Sequence, residues 1–232
     1  MVSISPVMIT FPRGGSVERT ARTARSALVN GGPGVRVVVP ERALVLVAGM
    51  PGAGKSTLLA ALPPDPRVAV LDSDAQRAAL RRLLPGVRYG HYRWLVHLLH
   101  RLLVLRAACS AVPVVVVHLP ATDPATRAVL ARLAALTGRT AHLLWLHVDA
   151  ADARRGQRER GRVVPHGSFS AHAARAASTT AALRNGPAGG WHEVRVLDRA
   201  ATTGGLRLVP GGGPPQRGAI EAGAPSTRVR PR

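Results

Sequence analysis

One lysine stands among the 232 residues, at Lys55; the other 31 of the 32 basic residues are arginine. That scarcity removes function classes. A Ras-type GTPase reads guanine through Asn-Lys-x-Asp, and no second lysine exists to build the motif. A protein kinase needs a strand lysine separate from its glycine loop. Schiff-base chemistry would fall to Lys55 itself. Acid is scarce as well: 12 Asp and Glu leave a formal net charge of +20. No Asp-Glu dipeptide occurs, so the strand-end acid pair of an AAA+ motor is missing. Phe, Tyr and Trp together number seven, too few for a binder that stacks single-stranded bases.

The single cysteine, Cys109, excludes an internal disulfide and a multi-cysteine metal site. It lies in an apolar helical run and reads as a buried thiol. No run reaches about 18 uninterrupted apolar residues. The segment Met1–Pro12 lacks the basic start and apolar centre of a secretion signal. Together these predict a soluble, cytoplasmic protein of a reducing compartment, with no membrane partner. The positive charge is spread along the chain, and excess Arg, Ala, Gly, Pro and Val fits GC-rich coding. Nucleic acid is therefore allowed but not required as a partner.

What is present is an aliphatic core: 46% of the residues are apolar. Apolar runs at Ala43–Ala48, Val68–Leu71, Val114–Val117, Ala141–Val148 and Glu193–Leu197 read as strands. Helical segments alternate with them, including Asp74–Leu84, His91–Ala111, Pro124–Thr137, Ala151–Arg160 and Ala171–Leu183. The long helix carries Leu95, Leu98, Leu99, Leu102 and Leu105 as its expected core stripe. Val35–Val39 reads as a short edge strand. The alternation predicts an α/β fold, a three-layer sandwich with about five parallel strands and helices on both faces. Residues 1–40 are expected to be a partly disordered extension, 41–200 the folded domain, and 201–232 a disordered Gly/Pro/Arg-rich tail.

Gly49-Met50-Pro51-Gly52-Ala53-Gly54-Lys55-Ser56 matches G-x-x-x-x-G-K-[ST], a phosphate-binding loop between a buried strand and a helix. Its glycines let backbone N–H groups turn inward to phosphate oxygens. The helix start at Lys55-Ser56-Thr57 adds its positive dipole end. Lys55 is expected to bridge the β- and γ-phosphates of ATP, and the Ser56 hydroxyl to ligate Mg²⁺. The second strand runs into Asp72-Ser73-Asp74 and then Arg77. Carboxylates there face the same crevice as the loop. Asp74 is the candidate general base. Asp72, two residues earlier, points to the same side in strand geometry, as a carboxylate on the acceptor side that could hold Mg²⁺ through water. Ser73-Asp74 also has the character of a helix cap. Arg77, one helical turn on, is placed to take an anionic group of the acceptor.

G-x-P-G-x-G-K-S-T followed by D-x-x-R resembles the P-loop kinases around phage polynucleotide kinase. It is also similar to zeta-toxin-type kinases and to small bacterial AAA-family ATPases, over about residues 43–198. The resemblance implies a P-loop NTPase fold with a mobile lid. It implies that Asp74 activates the acceptor hydroxyl while Arg77 grips a neighbouring phosphate. It also implies that lid arginines clamp the transferring phosphoryl group. The lid falls on residues 154–162, which hold five Arg. Arg155, Arg158 and Arg162 share a helical face, with Arg158 and Arg162 the candidate catalytic pair, and Gly156 and Gly161 expected to loosen the helix. The chain departs from its relatives at His118, where they often end the third strand in Asp. Further candidates for the crevice rim are Thr122, Asp123 and Arg127, and for an acceptor pocket Arg88, Tyr89, His91, Tyr92 and Arg93. The expected function is a Mg²⁺-dependent transfer of the ATP γ-phosphoryl group to a hydroxyl acceptor. The alternative is a nucleotide-binding ATPase or switch that acts through a protein or RNA partner.

Overall fold

The computed structural model describes residues 34–159, 161, 165–185, 189–199 and 204–211. Strand β2 (Ala43–Gly49) is buried at every position. A strand covered on both faces can carry apolar residues without alternation, and this one does. β4 (Val114–His118) and β5 (Thr140–Leu146) flank it in parallel. β3 (Val68–Asp72) pairs outside β4, and β6 (Glu193–Leu197) outside β5. The sheet order is β3-β4-β2-β5-β6, five parallel strands as the alternation predicts.

Parallel neighbours need crossovers, supplied by α1 (Lys55–Ala60), α2 (Ser73–Leu83), α3 (Tyr89–Ala108), α4 (Pro124–Leu136), α5 (Ala150–Glu159) and α6 (His166–Asn185). The right-handed rule sends β2→α1→β3 over one face and the β3→β4 and β4→β5 connections over the other. Phosphate loop, β3 end and β4 end therefore open on one edge of the sheet. No helix among the described residues is long and apolar enough to cross a membrane.

Three expectations are corrected. The chain after residue 201 is not wholly without structure. β7 (Leu206–Gly211) pairs in parallel with β1 (Val35–Pro40) in a separate two-stranded sheet, so β1 is not an edge of the main sheet. Val37, Val39 and Leu206 join the main core. A short Gly-rich strand cannot bury a core of its own, but here it borrows one. The remaining terminal residues, 1–33 and 212–232, lie outside the described residues. Second, the core face of α3 is Tyr92, Val96, His100, Val104 and Ala108, spaced four residues apart. Leu98, Leu102 and Leu105 point outward instead. The helix is apolar on two sides, so periodicity alone could not choose between them. Third, Cys109 is exposed, because it sits at the end of α3 rather than within it.

Arg139 is buried at the foot of the sheet and caps the end of α3. Its guanidinium donates to the carbonyls of Ala108 (2.7 Å), Ala107 (3.2 Å), Ser110 (2.8 Å), Pro113 (3.1 Å) and Ala43 (3.4 Å). A planar fork of five N–H donors matches this set of oxygens, and the negative end of the α3 dipole favours the charge. Arg139→Met is expected to leave several buried carbonyls without donors and to cost about 3 kcal/mol. Urea unfolding monitored by circular dichroism measures this, and a loss below about 0.5 kcal/mol would contradict the role.

Candidate active site

The loop Gly49–Ser56 folds into the tight turn its sequence requires. Gly52 and Gly54 both sit at φ 92°, a conformation L side chains rarely adopt. Gly54 then caps α1, and Leu58 N–H donates to its carbonyl at 2.9 Å. Lys55 is buried, and its Nζ donates to the carbonyls of Gly49 (2.8 Å) and Met50 (3.0 Å). The ammonium is thus held over the loop by the loop itself. Ala53 is buried and donates its N–H to the Met50 carbonyl at 3.1 Å, Ser56 is half-buried, and Thr57 is exposed. This backbone cradle and the Ser56 hydroxyl fit a nucleotide phosphate with its divalent cation.

α5 lies directly on the loop. Ala153, Gly156 and Gln157 are its buried face. A Cβ on Gly52 would stand 2.1 Å from the Ala153 carbonyl oxygen, and one on Gly156 would stand 2.7 Å from the Gly52 carbonyl oxygen. Gln157 Nε2 donates to the Pro51 carbonyl at 2.9 Å. Gly156 therefore permits a close backbone approach and does not loosen the helix. Arg158 is on the exposed side of α5, and Arg162 lies outside the described residues. Arg155 pairs with Asp152, and the Arg154 guanidinium stands 4.7 Å over the Phe169 ring.

At the β3 end, Asp72 is the N-cap of α2; its Oδ1 accepts the Asp74 N–H at 3.1 Å. The cap is thus Asp72 and not Ser73 or Asp74. Asp74 stands in the first turn of the helix, so the same-face argument from strand spacing does not apply to the pair. Asp72 Oδ2 lies 2.9 Å from Nδ1 of His118, its register neighbour on β4. Burial works to raise the Asp72 pKa, but the His118 contact and the Asp74 N–H outweigh it and hold the carboxyl below its ordinary value. Asp72 is therefore committed to structure on both oxygens. Arg77 stacks 4.2 Å over the Tyr89 ring, which meets Tyr92 edge to face at 5.4 Å. The guanidinium is fixed at the mouth between α2 and α3.

The loop after β4 closes the site. Ala121 adopts φ 43°, a strained conformation for a non-glycine residue. It is held by Arg127, whose Nη1 donates to the Ala121 carbonyl at 2.7 Å. Asp123 caps α4 through the Thr126 N–H at 2.7 Å. Thr122 Oγ1 lies 3.1 Å from His172 Nδ1. These rim residues thus shape the loop. Burial, then the fields of Arg175, Lys55 and Arg93, hold the His172 pKa below its ordinary value. His172 on α6 therefore lies in the fields of both Arg175 and Lys55. Sequence reading missed His172, since it belongs to no motif and α6 reaches the loop only through the fold. His100 was also missed as a site neighbour. It is 1% exposed, both ring nitrogens lack a hydrogen-bond partner, and it feels the charges of Asp72 and His118.

The chain belongs to the AAA domain family, whose model matches residues 44–183. Among solved structures, it resembles one from the PezAT chromosomal toxin–antitoxin system of Streptococcus pneumoniae. The two are 12% identical with TM-score 0.50, over 79% of this chain and 76% of that one. It also resembles a protein described as a candidate kinase from Chloroflexus aurantiacus. That pair is 15% identical with TM-score 0.53, over 69% of this chain and 87% of that one. At these identities the likeness is one of fold, the parallel α/β sheet of P-loop proteins. No curated protein sequence matches the chain.

Burial, against the pull of Asp72, holds the His100 pKa below its ordinary value. The unfolded chain then takes up a proton first as pH falls. Stability from the neutral ring is complete above about pH 6.5 and declines below it. His100→Leu removes two unpartnered ring nitrogens and this proton uptake. Its melting temperature should fall less steeply than the parent's between about pH 6.5 and 5, with stability at neutral pH unchanged or raised by about 1 kcal/mol. Differential scanning calorimetry across that range measures both; parallel pH curves would contradict the assignment.

Proposed function

We propose that the protein is an ATP-dependent phosphotransferase that moves the γ-phosphoryl group to a hydroxyl acceptor. The observation that carries the reading is the folded loop: Gly52 and Gly54 in left-handed turns, with Lys55 buried above the Gly49 and Met50 carbonyls. Backbone N–H groups of Gly52–Thr57 would take the phosphates at the start of α1. Lys55 would bridge the β- and γ-phosphates. Ser56 is the residue to hold Mg²⁺, which when bound neutralises charge on the phosphate oxygens.

Asp74 would accept the hydrogen of the acceptor hydroxyl as its oxygen attacks the γ-phosphorus, with ADP leaving. The loose transition state of phosphoryl transfer asks mainly for positioning and little basicity, which suits a carboxylate at a helix N-terminus. Arg77, flat against Tyr89, would offer its N–H edge to an anionic group of the acceptor. Arg158 and Arg162 are proposed to steady the equatorial oxygens as the lid closes. ATP as donor keeps this activity in the cytoplasm. A switch acting through a protein or RNA partner is the second reading; the commitment of Asp72 and His118 to each other favours it.

An acceptor screen with γ-labelled ATP and Mg²⁺ separates the two. Nucleosides, oligonucleotides with a free 5′-hydroxyl, sugars and hydroxylated antibiotics form the panel. Label should move to one acceptor class, and Asp74→Asn should slow that transfer at least ~100-fold with ATP affinity retained. Transfer at the parental rate by the variant would remove Asp74 as the base. Hydrolysis without any transfer would favour the switch.

A further inference from the structure

Six large apolar side chains lie 44–86% exposed on two helices that touch each other: Trp94, Leu98, Leu102 and Leu105 on α3, Val129 and Leu136 on α4. The four on α3 follow at intervals of four, four and three residues, which puts them on one stripe. That stripe faces away from the core stripe of Tyr92, Val96, His100, Val104 and Ala108. Val129 and Leu136 are seven apart on α4, again one face, opposite its buried Leu130, Ala131 and Ala134. A helix covered on one side ordinarily carries polar residues on the other. On these two helices large apolar residues share that side with arginine, and exposed apolar residues gathered in this way mark an interaction site.

The charges around it have one sign. Arg93, Arg101 and Arg106 on α3 and Arg132 on α4 are exposed beside the apolar residues. Neither helix contains an Asp or Glu. The nearest acid in sequence, Asp123, is used as the α4 cap. A second copy of this chain would bring the same arginines face to face, since a two-fold contact pairs a patch with itself. The chain's own terminal sequences do not supply acid either. Residues 1–33 hold four Arg against one Glu, and residues 212–232 hold four Arg against one Glu.

We infer that the α3–α4 face docks an acidic amphipathic helix of a protein partner. Leucine-type anchors of that helix would enter between Trp94, Leu98 and Leu102, and its flanking carboxylates would meet Arg93, Arg101, Arg106 and Arg132. Apolar anchors supply the affinity in such helix-on-face contacts. The charges set the orientation and suppress basic partners. None of the six apolar residues belongs to the proposed phosphotransfer machinery, so the apolar docking stands or falls independently of the reaction.

The test uses the full-length chain and a defined probe. The probe is a fluorescein-labelled 18-residue peptide with Leu on one helical face and Glu on its flanks; its twin carries Lys in place of Glu. Fluorescence anisotropy should show the acidic peptide binding at least ~10-fold more tightly than the twin. Leu98→Gln/Leu102→Gln should weaken the acidic peptide at least ~10-fold with ATP affinity unchanged. Because both residues are exposed, the variant should also keep the parental melting temperature. Equal binding of the two peptides, or parental binding by the variant, would overturn the proposal. So would three other results. One is acrylamide quenching that is the same for the parent and Trp94→Phe, which would mean the face is covered by the chain itself. Another is a dimer in sedimentation that the leucine variant abolishes. The third is capture of the chain by anionic phosphatidylglycerol vesicles with the peptide ignored.

Discussion

The phosphate loop is shaped by bare backbone pressed against bare backbone. α5 reaches it only because two positions lack a Cβ: Gly52, beneath the Ala153 carbonyl, and Gly156, against the Gly52 carbonyl. Everything that defines the crevice follows from that seat. β2 delivers the loop from below, α1 carries its last residues into a helix, and α5 closes it from above with Gln157 tied to Pro51. Lys55 can then be buried above its own carbonyls and stay put. Any side chain between α5 and the loop would lift one from the other.

The second constraint is charge. With 12 acids against 32 basic residues, few cations can have a carboxylate. The interior resolves this with carbonyl oxygens and helix ends. Arg139 spends its five N–H donors on the foot of the sheet and the end of α3. Arg127 holds the strained Ala121 turn. Arg77 uses an aromatic face. Asp72 and His118, 2.9 Å apart, join the register-paired ends of β3 and β4. Arginine suits such roles, since a planar fork can serve several oxygens at once. The phosphate position calls for a compact charge on a flexible stem, and there the sequence keeps lysine.

The buried strands and the loop were legible because each is a local pattern. β2 is a continuous apolar run, and Gly49–Ser56 carries its conformation in its glycines. That the sheet is parallel followed from the alternation of strands and helices. What was not legible is pairwise. Gly156 looks like a flexible point until Gly52 is placed beneath it. Asp72 reads as a crevice carboxylate until His118 is found beside it in register. His172 comes near Lys55 on a helix more than a hundred residues from the loop. α3 gave the wrong stripe because it is apolar on two sides. β7 was hidden because its strand pairs with β1, from the opposite end of the described chain.

If close seating of α5 gives the loop its shape, Gly156→Ala should disturb it, because the substitution adds one methyl and no charge, at a backbone conformation alanine adopts freely. Isothermal titration of MgATP into the parent and the variant is the measurement. The variant should lose at least ~10-fold in affinity, about 1.4 kcal/mol, with the far-ultraviolet spectrum retained. Equal affinity in the two proteins would contradict it.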